Sequence, residues 1–179
     1  MSSARIVTLC TGNAARSVML GFMLSELAEL NGLPWQIRTA GTHVSEGQAI
    51  SPRTLEAMIK IEDLGQHHFT AHRSHQLIED DVNWADVIVA VEADHVAYVH
   101  AHFPEARDKV VQLRAFCVGA PLDEPFPEQV RKVAAVHPND ELDVADPAGG
   151  EQADYDRCAL DLWDMSQVFT ALATGDELA

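Results

Sequence analysis

The first thirty residues constrain the fold more than any other part of the chain, because they predict a strand, a tight loop and a helix in direct succession. Residues 5–9 form a short apolar run rich in β-branched side chains, which is typical of a buried parallel strand. From Ser17, apolar side chains recur at helical spacing until Asn31-Gly32 stop the pattern. The recurring residues are Met19, Leu20, Met23, Leu24, Leu27 and Leu30. The chain therefore opens with the unit from which α/β sheets are built.

The same alternation continues through the rest of the chain. Further strands are predicted at 35–40, 86–91 and 109–113, and further helices at about 52–61, 92–103 and 153–174. Ser51-Pro52 supplies an N-cap followed by a proline at the first helical position. Right-handed crossovers between such strands predict a three-layer, doubly wound parallel sheet with helices on both faces. Ligands of such sheets bind at the carboxyl ends of the strands, where the loop that starts at Cys10 lies.

One long segment interrupts this pattern. The stretch between Phe116 and Ala145 is acidic and rich in proline, and it predicts one helix, at about 128–136, and loops elsewhere. We expect residues 1–179 to form a single domain, because 179 residues suit one core, with a longer loop or insertion at about 117–144.

The charge of the chain limits its partners. The sequence has 12 Lys and Arg against 28 Asp and Glu, a formal net charge of −16. Such a charge repels nucleic acid and anionic lipid, so neither is an expected partner. It also repels phosphorylated substrates, so any phosphate site must create positive potential locally. The three cysteines, Cys10, Cys117 and Cys158, form no disulfide pattern, and no apolar run is long enough for a signal core or a membrane span; both points indicate the cytoplasm.

The segment Cys10-Thr11-Gly12-Asn13-Ala14-Ala15-Arg16-Ser17 carries the chemistry. A loop of small residues between a strand and a helix can turn its N–H groups inward, and the helix N-terminus closes the resulting nest around an anion. Arg16 adds a planar fork of donors for two phosphate oxygens. The same dipoles lower the pKa of a thiol at Cys10 and make it a nucleophile. The predicted catalytic residues here are Cys10 and Arg16, and the predicted substrate-binding residues are Thr11, Gly12, Asn13, Ala14, Ala15 and Ser17. The plainer alternative is a buried strand-end cysteine beside a surface arginine.

With this loop and three later segments, the sequence resembles the low-molecular-weight protein tyrosine phosphatase family, whose fold is shared by thioredoxin-coupled arsenate reductases. The later segments are Thr39-Ala40-Gly41-Thr42, Gly65 through His72-Arg73-Ser74, and Asp86 to Val91. The resemblance implies a four-stranded parallel sheet in the order 2-1-3-4, a phosphocysteine intermediate and a late Asp-Pro acid. It also implies that Asn13 and Ser17 orient the nest and stabilise the thiolate.

Asp146-Pro147-Ala148-Gly149-Gly150 is the best candidate for the loop that carries the proton donor. Proline fixes the path of the chain after the aspartate, while the glycines let the loop approach and withdraw. We therefore predict Asp146 as the general acid, with Asp143 and Asp140 as its competitors.

Three departures from the family pattern bear on substrate and redox chemistry. Ala15 stands where the family usually has a second cysteine, and Val18 where it has a proline. Aromatic residues that usually wall the pocket are missing, since neither Ala148 nor residues 43–50 provide one.

The leading hypothesis is a cytoplasmic cysteine-dependent phosphomonoesterase that acts on phosphotyrosine or a similar aryl phosphate. One alternative is an arsenate reductase in which an external thiol resolves Cys10, and another is a non-catalytic oxyanion-binding module. No cofactor or metal is expected, because His67, His68, His72 and His75 lack matching ligands and are interpreted as solvated loop histidines.

Overall fold

The computed structural model describes residues 3–65 and 67–175, which form a parallel β-sheet with helices on both faces. The strands are β1 (Ala4–Cys10), β2 (Trp35–Gly41), β3 (Val87–Ala90) and β4 (Val110–Gln112). The helices are α1 (Arg16–Leu30), α2 (Pro52–Ile59), α3 (Glu79–Trp84), α4 (Ala93–His102), α5 (Leu113–Gly119), α6 (Phe126–Ala134) and α7 (Gln152–Thr174). Short 3-10 turns lie at Phe69–Ala71, Pro104–Ala106 and Asp140–Leu142.

The order of the strands is β2-β1-β3-β4, and every pair is parallel. This confirms the predicted doubly wound sheet and its order. The register aligns Leu9 of β1 with Ala40 on one side and Ala90 on the other. The loops after these strands therefore open at the same edge of the sheet, which is where such folds bind ligands.

The side chains of β1 alternate between two hydrophobic cores. Ile6 and Cys10 face the core built by α1, α2, α5, α6 and α7, while Val7 and Leu9 face the smaller core under α3 and α4. Burial of each large aliphatic side chain contributes about 1.5–3 kcal/mol, so the continuous apolar runs of β1 and β3 account for much of the stability of the sheet. Central strands covered on both faces need such runs, which is why the sequence predicted them well.

Two helices were missed by the sequence analysis. The helix α3 has six residues, too few to show a period, and α5 begins at Leu113 directly after the last residue of β4. With no glycine or proline between them, nothing in the sequence marks the change from strand to helix there. The helix predicted at 128–136 is α6, which begins two residues earlier at Phe126, with Pro127 in its first turn.

Across the two described stretches of the chain, no helix combines the length and the apolar character that a membrane span requires.

Candidate active site

The loop between β1 and α1 is wrapped by neighbouring segments that bind its carbonyl groups. The Cys10 carbonyl accepts a hydrogen bond from Thr42 N (3.0 Å), the Thr11 carbonyl from His43 N (2.9 Å), and the Ala14 carbonyl from Thr54 Oγ1 (3.1 Å). In a planar trans peptide, the N–H of the following residue points opposite to the carbonyl. The carbonyls of Cys10, Thr11 and Ala14 therefore point outward and the N–H groups that follow them point inward, as an anion-binding nest requires.

Gly41, at the end of β2, allows the loop to sit this close to its neighbour. A Cβ atom on Gly41 would lie 2.5 Å from the Thr11 carbonyl oxygen and 2.9 Å from Asn13 N. No side chain is small enough for that gap, so the glycine is required by the approach of two backbones.

The sulfur of Cys10 has a hydroxyl neighbour. Cys10 Sγ lies 2.9 Å from Ser17 Oγ, and Ser17 Oγ also lies 2.9 Å from Asn13 Nδ2, an obligate donor. Because Ser17 accepts from Asn13, its own hydrogen is free to point at the sulfur. The hydroxyl of Ser17 therefore holds the sulfur at the N-terminal end of α1.

Asn13 is the hub that holds the loop in shape. It adopts a left-handed backbone conformation (φ 49°), which asparagine tolerates better than most residues. Its side chain and carbonyl make five hydrogen bonds, all between 2.8 and 2.9 Å, with Ser17 Oγ, Thr39 Oγ1, His75 N, His72 Nε2 and Ser74 Oγ. Buried polar groups with this many partners define one conformation, so the nest is rigid.

Of the four histidines at 67–75, His67, His72 and His75 are not the solvated loop residues that the sequence analysis predicted, whereas His68 is exposed. His72 Nε2 lies 2.9 Å from the Asn13 carbonyl, and burial lowers the pKa of His72. His67 Nε2 lies 2.6 Å from Glu26 Oε2, and His75 Nε2 lies 2.7 Å from Asp81 Oδ2. The only sequence signal for this support was the resemblance of His72-Arg73-Ser74 to the family segment. Among residues 3–65 and 67–175, no group of three or more His, Cys, Asp or Glu is arranged to hold a metal ion.

Arg16 is almost fully buried, at 2% exposure, and its guanidinium is held by three acceptors. Nη1 binds Glu92 Oε1 and donates to the Val144 carbonyl at 2.8 Å, and Nη2 lies 3.1 Å from Asp146 Oδ2. A buried charge without partners would be strongly destabilising, so these acceptors are what permit Arg16 to lie beneath the loop. Glu92, at the N-cap of α4, is a site residue that the sequence analysis missed.

Of the three candidate acids, Asp140 is exposed at the start of the 3-10 turn, and Asp146 and Asp143 have different surroundings. Asp143 Oδ1 accepts hydrogen bonds at 2.7 Å from both Ala93 N and Gln112 Nε2, so it caps α4, and burial raises the pKa of Asp143. Asp146 is 44% exposed and lies against Arg16, with Oδ1 accepting from Ala148 N at 3.1 Å. Of these two carboxylates, Asp146 is the one that reaches the guanidinium.

The comparisons with known proteins agree with this geometry. Residues 5–132 match the sequence profile of the low molecular weight phosphotyrosine protein phosphatases. The chain is 34% identical over 144 residues to a protein-arginine-phosphatase of Geobacillus stearothermophilus, covering 78% of this chain and 89% of the relative. It is 31% identical over 123 residues to the protein-arginine-phosphatase of Bacillus subtilis, covering 68% of this chain and 79% of the relative.

Solved structures show the same relationship. YwlE arginine phosphatase from Geobacillus stearothermophilus aligns with a TM-score of 0.72 and 28% identity, over 93% of this chain and 90% of that chain. A low molecular weight protein tyrosine phosphatase from T. tengcongensis aligns with a TM-score of 0.74 and 25% identity, over 92% and 96%. A cysteine-to-serine mutant of YwlE with a phosphorylated active-site serine aligns with a TM-score of 0.75 and 25% identity, over 95% and 94%. The predicted family is confirmed: the chain belongs to the low molecular weight phosphotyrosine protein phosphatases and is a cysteine-dependent phosphatase.

Proposed function

We propose that this phosphatase removes phosphoryl groups from phosphorylated proteins, with Cys10 as nucleophile, Arg16 as phosphate clamp and Asp146 as proton donor. The observation that carries the proposal is the contact between Arg16 Nη2 and Asp146 Oδ2, at 3.1 Å, at the loop that presents the hydrogen-bonded Cys10 sulfur. An anion-binding module needs the nest alone, whereas bond cleavage also needs a proton donor beside the clamp, and Asp146 stands where such a donor would be. The phosphatase relatives likewise favour this reading over an arsenate reductase.

In the first step, the Cys10 thiolate attacks phosphorus and forms an S–P bond as the bond to the leaving group breaks. The inward N–H groups of the loop and the Arg16 fork stabilise the charge on the equatorial oxygens. The proposed binding residues are Thr11, Gly12, Asn13, Ala14, Ala15 and Ser17. Asp146, as the carboxylic acid, gives its proton to the leaving atom.

In the second step, the Asp146 carboxylate takes a proton from water, which attacks phosphorus and releases inorganic phosphate and the Cys10 thiolate. A phosphoryl group that takes the Nη2 bond of Arg16 displaces Asp146 from it.

Phosphoarginine is the substrate that we propose. Both curated relatives above 30% identity are protein-arginine-phosphatases. A cleft of about 690 Å³ opens beside Asp146, and Asp154, Asp161 and Asp164 line it together with Arg157. Asp154 pairs with Arg157 and Asp161 with Arg114, so Asp164 is the carboxylate of this cleft that suits a substrate with a cationic guanidinium, and Ala148 provides no aromatic surface for a tyrosine ring.

Phosphotyrosine is the second candidate, since the family profile and the T. tengcongensis structure carry that name. Two peptides of the same sequence, one with phosphoarginine and one with phosphotyrosine, distinguish the two. We expect kcat/KM to be at least about tenfold higher for the phosphoarginine peptide. The reverse preference would make the chain a tyrosine phosphatase, and no hydrolysis of either peptide would overturn the proposed function. Arsenate with added thiol serves as the third arm, in which we expect no turnover.

We further propose a cytoplasmic location. Cys10, Cys117 and Cys158 are all free thiols, and the cytoplasm is the compartment in which thiols are kept reduced.

A further inference from the structure

A buried histidine, His95, joins two parts of the candidate site. It lies on α4, three residues after Glu92, and is 2% exposed. Its Nε2 atom is 2.9 Å from Thr11 Oγ1 and 3.3 Å from Glu92 Oε2. The other ring nitrogen, Nδ1, is buried and has no hydrogen-bond partner among the described residues.

These contacts determine which ring nitrogen carries the hydrogen. The Glu92 carboxylate binds Arg16 and can only accept hydrogen bonds. It therefore attracts a hydrogen on His95 Nε2, whereas it would repel a lone pair on that atom. With the hydrogen on Nε2, the buried Nδ1 is an unpaired acceptor, whereas the other tautomer would bury an unpaired donor. The Nε2–H tautomer is therefore favoured, and Thr11 Oγ1 accepts from it.

The imidazole is uncharged at neutral pH. Burial, followed by the positive charge of Arg16, lowers the pKa of His95 to about 4, although Asp94 and Asp146 act in the opposite direction. The remaining titratable neighbours are Glu92, at 3.3 Å, and His43, whose charge also lowers the pKa. A neutral donor holds both oxygens without adding a cation beside the guanidinium.

We propose that His95 is a positioning residue that holds the Thr11 hydroxyl and the Glu92 carboxylate in place, and through Glu92 the Arg16 fork. The proposal rests on the proposed function, because it assigns His95 to the geometry that receives a phosphoryl group. With Thr11 Oγ1 accepting from His95, the Thr11 hydroxyl hydrogen is left as a donor for the bound anion. His95 touches neither the phosphoryl group nor the sulfur and acts through these two neighbours.

The main test is His95→Leu, which removes the donor and nearly keeps the volume. We expect the affinity for inorganic phosphate, measured by calorimetry, and kcat/KM for the phosphoarginine peptide each to fall about tenfold. We expect the melting temperature at pH 7.5 to stay equal or to rise, because the variant also removes an unpaired buried nitrogen. A residue with a merely structural role would show the opposite split, with a lower melting temperature and unchanged phosphate affinity.

Two variants control this result. His95→Gln carries an amide N–H near the position of Nε2, so it should recover most of the lost affinity. His100→Leu, on the same helix, removes another buried ring nitrogen, Nε2, that has no hydrogen-bond partner among the described residues, and it should change neither phosphate affinity nor kcat/KM. If His95→Gln fails to recover affinity while His95→Leu is impaired, the donor role is wrong.

A double-mutant cycle with Thr11→Val tests the route of the effect. If His95 acts partly through Thr11, the double variant should lose less phosphate affinity than the product of the two single fold-losses. A loss equal to that product would overturn the link to Thr11. Phosphate binding also separates this proposal from the proposed function. If the chain binds phosphate tightly but hydrolyses no phosphopeptide, the proposed function fails, while the effect of His95→Leu on phosphate binding still decides the role of His95.

Discussion

The two loops that meet at Arg16 are built in opposite ways. The loop that follows Cys10 is held by hydrogen bonds with β2, α2 and residues 72–75, and its central residue Asn13 is fully buried. The loop at 146–150 has a half-exposed aspartate, a glycine at φ +80° and internal turns such as Gly150 N to the Pro147 carbonyl at 2.9 Å.

The difference follows from the tasks that we propose for the two loops. A nest stabilises charge only if its dipoles are already in place, so rigidity benefits the first loop. A proton donor must first lie beside the leaving group and then act on water, so a loop with few anchors suits the second. We call residues 10–17 the anchored loop and residues 146–150 the loose loop. The contact between Arg16 and Asp146 joins the two.

The largest expected effect is that of Cys10→Ser. It should reduce turnover below detection, because a serine hydroxyl in this nest is a far weaker nucleophile than a thiolate. Phosphate affinity, measured by calorimetry, should change little, since the nest is mostly backbone. Residual turnover near that of the wild type would show that Cys10 is not the nucleophile.

The second largest effect should come from the loose loop and should change kcat without changing phosphate affinity. Asp146→Asn should lower kcat by about 10²- to 10⁴-fold on a phosphopeptide and much less on p-nitrophenyl phosphate, whose leaving group needs no proton. The affinity for phosphate should not fall, because the anchored loop is untouched. Asp143→Asn is the matched control; equal losses on both substrates in Asp146→Asn would argue against a proton donor at that position.

Lowering the pH should reduce the free energy of unfolding, because His95, which contacts Thr11 of the anchored loop, resists protonation in the folded chain. His95 is neutral in the folded chain and has a pKa of about 4 there, whereas it titrates near its ordinary value of 6.5 when unfolded. The unfolded chain therefore binds more protons in this window, and stability falls as the pH drops from about 6.5 towards 4, by on the order of 3 kcal/mol from this residue. His95→Leu should lose that much less free energy of unfolding over the same range. The free energy of unfolding of both proteins can be measured by urea denaturation at a series of pH values. The same dependence on pH in both would contradict the prediction.

Asn13→Ala should lower the free energy of unfolding by about 2 kcal/mol, because it leaves buried partners of the side chain unpaired and puts alanine in a left-handed conformation. Phosphate affinity should fall with it. Asn139→Ala is the control: Asn139 Oδ1 accepts one exposed bond from Glu141 N, and its loss should cost less than about 1 kcal/mol. Equal losses would mean that the Asn13 network does not stabilise the loop.

The smallest effect should come from the loose loop. Gly149→Ala places a side chain at φ +80° with open space around it, so it should cost about 1 kcal/mol of local strain and lower kcat a few fold. Phosphate affinity should be unchanged. A large loss of global stability, measured by thermal melting, would show that this loop is as firmly anchored as the first.

The sequence by itself determined the elements that depend on neighbouring residues. The apolar run of β1, the helical spacing of α1 and the small residues between them are local patterns, and they located Cys10, Arg16 and the anion loop. The Asp-Pro-Ala-Gly-Gly motif is local too, and it marked Asp146 as the candidate acid. The six-residue α3 and the unpunctuated start of α5 were missed because neither leaves a local signal.

Only the tertiary structure decided what surrounds Arg16. Glu92 is 76 residues and the Val144 carbonyl 128 residues away along the chain, and His95 meets Thr11 across 84 residues. Glutamate and histidine at the start of a helix are compatible with a solvated surface, so no pattern distinguishes these two as site residues. The parallel register of β1 and β3 brings the start of α4 beside the anion loop, and a buried guanidinium requires the carboxylates that lie there.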